Sequence, residues 1–281
     1  MRKIKKNNFG RDELITLKDE IWLRYQKVAG KCVANVFSAC AQEIKNQTPN
    51  LSLKNLEEIA ISKCKEMDCS PTFLGYRGFP SAICTSVNEQ VVHGIATDYV
   101  LQEGDLISVD LGATYNGAIA DAARTWIYGE PKEDRHVVML EACKEALQRG
   151  IDAVIVGNQI GAIGHRIYKY VVGGSAGHFG YFGLVTDFGG HGLDWNQPHA
   201  DPFVSNRSEP WEGARIVPGL AIAIEPMLTL SFKRSVEVPT RILDDKWTVV
   251  TDSLSCHFED SVTVMEDGVH VVTGGNSEDT V

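Results

Sequence analysis

The chain has 281 residues, 43% of them hydrophobic and 23% charged, enough apolar content for one large core or two lobes. A net charge of −10 argues against broad nucleic-acid binding. Seven cysteines, odd in number and without a C-x-x-C pair, argue against a disulfide framework or zinc knuckle and fit a reducing, cytoplasmic setting. The basic start "MRKIKKNNFGRDEL" has no apolar stretch behind it, so it does not read as a secretory leader, and no run approaches a membrane span.

In chain order, residues 1–14 are expected to form a flexible tail. A helix is predicted over 17–46, where Ile21, Val28, Cys32, Val36, Cys40 and Ile44 fall near helical spacing. A second is predicted over 52–67, with Ser52 as N-cap. Strand-like runs follow in "AICTSV", "LISVDLGATY" and "GAIADAARTWIY". Two more helices are predicted near 131–150, opening on Pro131, and near 159–172. The glycine-rich "GGSAGHFGYFG" (173–183) does not join a strand to a helix and reads as a loop. Strand-like runs return in "LAIAIEPMLTL", "KWTVVT" and "CHFEDSVTVM", and 275–281 is expected to be a second flexible tail. Helices mixed with recurring strands indicate an α+β fold on an antiparallel sheet.

The most informative segment is "VDLGATYNGAIADAART", residues 109–125. Asn116-Gly117 is a favoured two-residue hairpin turn. Counting outward, Gly112 faces Asp121 and Asp110 faces Ala123. Asp110 and Asp121 are then diagonal neighbours on one face of an apolar hairpin, roughly 7–8 Å apart. Two such carboxylates are either solvated at a sheet edge, or buried with a shared proton or a cation between them. Glu225 in "AIAIEPML" and Glu259 in "CHFEDSV" each interrupt an apolar run, and a buried glutamate needs a partner. With His191 of "GGHG", the set is four carboxylates and one imidazole, a donor set suited to Mn, Fe, Co or Zn.

These residues sit in motifs that resemble the type I methionine aminopeptidases. The resemblance covers roughly residues 15–273. It rests on "GYRGFPSAICTSVNEQVVHGI" (75–95), "GDLISVDLGATYNGAIADA" (104–122), "GGHG" (189–192), "IEPM" (224–227) and "WTVVTDSLSCHFE" (247–259). It implies the pita-bread (creatinase/aminopeptidase) fold, a curved antiparallel sheet flanked by helices with pseudo-two-fold symmetry, as a single catalytic domain over 1–281. It also implies a centre of two divalent ions held by Asp110, Asp121, His191, Glu225 and Glu259. A metal-activated hydroxide there would remove the initiator methionine of nascent proteins, with Glu225 shuttling the proton. His93 would lie beside the scissile bond, and His199 would hydrogen-bond the scissile carbonyl without binding metal. The methionine pocket would be lined by Tyr76, Phe79, Cys84 and Trp247, with Phe73 and Phe188 adjacent. Implied partners are the N-terminal methionine of nascent chains and the ribosome, with neither DNA nor membrane, for a monomer. The glycines around His191 are expected to let the backbone approach the metals.

Several features depart from that family's pattern. His199 follows Pro198 and lies eight residues after His191, where the family spaces seven and places an aromatic. Asp260 stands after the last ligand, where the family has histidine. "DLGATYNGAIADAART" and "FEDSVTV" lean toward Xaa-Pro peptidases, which share fold and ligands and usually carry an extra N-terminal domain. The 34-residue separation of Glu225 and Glu259 leaves no room for the helical insertion of type II enzymes. Residues 231–246 look like a lengthened hairpin at the pocket rim. A Xaa-Pro aminopeptidase or dipeptidase, and a metal-free binding protein on this fold, are the alternative readings.

Overall fold

The computed structural model describes residues 2–6, 12–173, 181–231 and 238–274. Among these residues lie the helices α1 (Glu20–Lys45), α2 (Leu53–Glu66), α3 (Asp134–Asp152) and α4 (Gly161–Val171), with antiparallel sheets between them. Asp19 caps α1 by accepting the Trp22 amide at 2.9 Å, which satisfies one of the free donors of the first turn. The buried stripe of α1 is Trp22, Ala29, Val33, Val36, Phe37, Cys40 and Ile44. Cys32, Val36, Cys40 and Ile44 are buried as their spacing predicts. Ile21 is 46% exposed, because Trp22 takes the core position at this end. Ser52 caps α2 in a reciprocal capping box with Asn55. Pro131 lies three residues before the first residue of α3, in the approach to the helix rather than its first turn.

Two long apolar runs are broken where sequence alone suggests continuity. "LAIAIEPMLTL" divides into strands Ala221–Ile224 and Met227–Ser231, and "CHFEDSVTVM" into Ser255–His257 and Asp260–Met265. Pro226 has no N–H to continue a ladder, so the first break falls at Glu225-Pro226. The second falls at Phe258-Glu259. Of the segment read as a loop, 174–180 lies outside the described residues, while Tyr181–Leu184 forms a strand. Residues 189–205, not predicted as strand, form the hairpin Gly189–Asp194 and Gln197–Ser205. The first 14 residues, expected as a tail, carry strand Arg2–Lys6 and most of strand Asp12–Ile15, paired antiparallel. The tail expected at 275–281 and residues 232–237 of the rim segment lie outside the described residues. Beyond them, Arg241–Ile242 pairs with Val249–Val250.

The helices lie on two halves. α1 and α2 pack with the hairpin Asp105–Tyr115 and Ala118–Tyr128 around Val33, Val36, Leu56, Val109, Leu111 and Ala122. α3 and α4 pack on the later strands around Met139, Ile163, Ile167, Leu228 and Val262. Each fully buried valine, leucine, isoleucine or methionine among these contributes about 1.5–3 kcal/mol. Two helices on a strand layer, twice over, give the pseudo-two-fold symmetry. The seam closes through an antiparallel bridge between Ala123 and Glu259. Gln26 spans it too, donating to the Ile119 carbonyl at 3.0 Å and accepting from the Thr263 hydroxyl. Among the described residues, no helix is long and apolar enough to cross a membrane.

Candidate active site

The predicted hairpin register is the observed one, with Asp110 opposite Ala123 and Gly112 opposite Asp121. Asn116 and Gly117 both have positive φ, 48° and 84°, as the tight hairpin turn demands. Asp121 and Glu259 are then fixed across the seam. The Ser261 hydroxyl accepts the Asp121 amide and donates to the Asp121 carbonyl, each at 2.7 Å. The Glu259 amide donates to the Ala123 carbonyl at 3.0 Å. The Asn206 side chain donates to the Glu225 carbonyl at 3.1 Å, holding the chain where strand pairing stops. Gly190 and Gly192 flank His191 where neighbouring backbone comes close. A Cβ on Gly190 would strike the Ala223 carbonyl, and one on Gly192 the Asp201 carbonyl. Their absent side chains admit neighbouring strands.

Asp110, Asp121, His191, Glu225 and Glu259 thus converge at the base of one cavity of about 620 Å³. His191 Nε2 lies 3.6 Å from Glu225 Oε1 and 4.0 Å from Glu259 Oε1. Asp110 Oδ1, Asp121 Oδ1 and Glu259 Oε1 are buried without a hydrogen-bond partner. Such orphaned acceptors are costly unless a proton or cation joins them. Burial, then the Asp121 and Glu225 charges, push the Asp110 carboxyl well above its usual range. Burial and the Glu225 charge push Asp121 up to about 8. Burial and the Asp121 charge also raise Glu259. Burial alone would raise Glu225 as well, but the close His257 and His191 rings outweigh it and hold this carboxyl low. The cluster without a cation is therefore electrostatically frustrated. Asp121, His191 and Glu259 offer donor atoms mutually within 4.8 Å, so the donor set fits a divalent ion.

The remaining histidines divide by position. His93 is half-buried at φ 59°, an uncommon backbone state for a non-glycine residue. Its ring meets Phe188 edge-on at 5.9 Å, and burial lowers its pKa. Strand pairing runs Asp194 to Gln197 and then Gly192 to Ala200, so the second strand carries one extra residue. That bulge absorbs the additional residue beside Pro198 and re-aims His199. The His199 ring stands 4.5 Å from that of His191 and 5.3 Å from that of Tyr76. Burial, then the neighbouring His191, push its pKa down to about 3. His257 was not singled out from the sequence, yet it lies against Glu225 and Glu259. No signal in the sequence marks it: it ends the strand Ser255–His257 and obeys that strand's alternation. Asp260 also acquires a role: it pairs with Arg124 Nη2 at 2.7 Å and accepts from Thr273 at 2.7 Å. Arg124 Nη1 donates to the Glu259 carbonyl.

Phe73, Phe79 and Cys84 pack together as an apolar wall, with Ile95 and Trp247 against them. The Phe79 and Trp247 rings meet edge-on at 5.2 Å. Tyr76 and Phe188 line the same cavity. Cys84 lies directly across the strand pair from Asp110, which places the pocket beside the carboxylates. Burial, then the Asp110 and Asp121 charges, raise its thiol well above the ordinary value, so Cys84 packs as a neutral side chain.

This fold, with carboxylates and imidazole buried beside an apolar pocket, defines a metallopeptidase of the aminopeptidase class. Residues 24–266 match the model of metallopeptidase family M24, and the chain belongs to that family. It is 37% identical to a methionine aminopeptidase of Clostridium acetobutylicum, over 92% of this chain and 99% of that one. It is 42% identical to methionine aminopeptidase 1 of Mycobacterium tuberculosis, over 81% and 84%. The solved methionine aminopeptidase of Thermotoga maritima superposes with a TM-score of 0.82 at 32% identity, over 92% of this chain and 99% of that one. The prolidase of Pyrococcus furiosus superposes at 0.68 with 20% identity, over 92% of this chain and 66% of that one, a likeness of fold. The architecture is the pita-bread α+β fold.

Proposed function

We propose that the protein removes the N-terminal methionine from newly made chains, with residues 1–281 forming one catalytic domain, acting as a cytoplasmic monomer on chains emerging from the ribosome. The observation that carries this reading is the aromatic-walled pocket set directly beside the carboxylate–imidazole cluster. A flexible thioether packs well against aromatic faces, and Phe79 and Trp247 present such faces. The ions such a cluster would hold can take the free α-amine of a substrate, which suits an enzyme confined to chain ends.

Asp110, Asp121, His191, Glu225 and Glu259 would hold two divalent ions, drawn from Co, Mn, Fe and Zn. When bound, such ions supply Lewis-acid activation of water and neutralise the carboxylate charge. Glu225, kept ionised by its neighbours, accepts the proton of the attacking water at its carboxylate and returns it to the leaving amine. His199, kept neutral, donates a ring N–H to the scissile carbonyl as negative charge develops there. His93, whose ring packs on Phe188 in the same cavity, would lie beside the scissile bond.

Turnover of Met-Ala-Ser and Ala-Pro peptides by metal-loaded protein tests the reading. Release of methionine from the first is expected. Cleavage of the Pro peptide alone would instead assign a Xaa-Pro peptidase. Absence of both activities, with no metal taken up, would assign a binding protein.

A further inference from the structure

His257 is 1% exposed, and neither of its ring nitrogens has a hydrogen-bond partner. A buried imidazole with both nitrogens unmatched is costly. Its Nε2 lies 3.4 Å from Glu225 Oε2 and 3.9 Å from Glu259 Oε2. His191 approaches the other oxygen of each of the same two carboxylates, at 3.6 and 4.0 Å. Each glutamate therefore turns one oxygen to each imidazole. Donors sharing one ion at about 2.0–2.2 Å in tetrahedral geometry stand about 3.4 Å apart. His257 meets Glu225 at that spacing, and as closely as His191 does.

We propose that His257 is an additional metal ligand, holding a divalent ion together with Glu225 and Glu259. The inference rests on the metal-dependent reading above. The Glu225, His257 and Glu259 donor atoms lie mutually within 4.8 Å and adjoin the Asp121, His191 and Glu259 group. Glu259 belongs to both groups and bridges them. The alternative role, an N–H donor that only orients Glu225, leaves the approach of the same ring nitrogen to Glu259 Oε2 at 3.9 Å without a purpose. A second imidazole moves the donor set toward Zn, Co and Fe and away from Mn and Mg, which favour oxygen.

Metal binding tests this independently of turnover. Chelator-stripped wild type, His257→Gln and His257→Ala are titrated with Co(II) and Zn(II) by calorimetry. Glutamine keeps an N–H for Glu225 but gives up the imidazole nitrogen. Both variants are expected to bind the His257-dependent ion at least about 100-fold more weakly, with a changed Co(II) visible spectrum. Wild-type affinity and spectrum in His257→Gln would overturn the proposal and leave a hydrogen-bonding role. Pulsed electron paramagnetic resonance of Cu(II)-loaded wild type, an ion that favours imidazole, needs no variant: two coordinated imidazoles support the proposal, and one overturns it. If wild type binds no ion at all, the metal-dependent reading fails, and this inference with it.

Discussion

Replacing His199 by alanine separates the two histidines that stand side by side in the cavity. His199 is held neutral because burial and the adjacent His191 depress its pKa to about 3, and a cation on His191 pushes it lower still. From pH 5 to 9 its ring is therefore a neutral donor. Removing one preorganised donor to a developing oxyanion costs about 10²–10³ in kcat, roughly 2.7–4 kcal/mol. His199→Ala should therefore lose about 100- to 1,000-fold in kcat, with KM within a few-fold and metal content unchanged. His199→Gln, which keeps an N–H, should recover part of the loss. His191→Ala should lose metal and activity together. Initial rates on Met-Ala-Ser, with metal content by atomic emission on the same samples, make the comparison. Because His199 does not titrate in this window, the pH profiles of wild type and His199→Ala should run parallel. Equal metal loss in both alanine variants, or diverging pH profiles, would refute the reasoning.

Without metal, the raised pKa values of Asp110, Asp121 and Glu259 make stability depend on pH. A carboxyl raised on folding contributes fully below its unfolded value, near 4, and loses that contribution as pH rises through its folded value, about 8 for Asp121. Chelator-stripped protein should therefore melt at a lower temperature at pH 9 than at pH 6. Metal should close that gap and release protons on binding near pH 7; calorimetry in buffers of different ionisation enthalpy measures both, and equal melting temperatures would contradict the account. Arg124→Met leaves Asp260 buried against Thr273 alone. Losing one partner of a buried pair costs about 3–5 kcal/mol, readable by urea denaturation, and a loss below about 1 kcal/mol would show that the pair is not integral. Trp247→Ala opens one wall of the pocket. It should lower kcat/KM for methionine peptides by about tenfold, part of the roughly 1.5–3 kcal/mol for burying a large apolar side chain, and a rate equal to wild type would remove Trp247 from the pocket.

The parts legible in the sequence are those fixed by local rules. Asn116-Gly117 allows two residues in the turn, so the register follows, and with it the shared face of Asp110 and Asp121. Glu225 and Glu259 were visible as interruptions of apolar runs, and the interruptions are the real ends of strands. At Glu225 the cause is Pro226, which cannot carry the ladder onward. The hairpin that positions His191 and His199 was not legible. Its strands pair around bulges, and the first begins with two glycines and the second with Gln197-Pro198, so neither alternation nor residue type announces them. His257 was hidden for a different reason. In "SCHFE" the apolar Cys256 fills the core beneath α3, and alternation sends His257 to the opposite face. In an isolated strand that face reads as solvent. It becomes the centre of the molecule only when the Ala123–Glu259 bridge closes the two halves upon each other. A contact between elements 136 positions apart then turns an outward histidine into a buried one facing two carboxylates. Chain-local reasoning can find ligands that break a pattern, but a residue that obeys its strand's pattern becomes a candidate only through the topology.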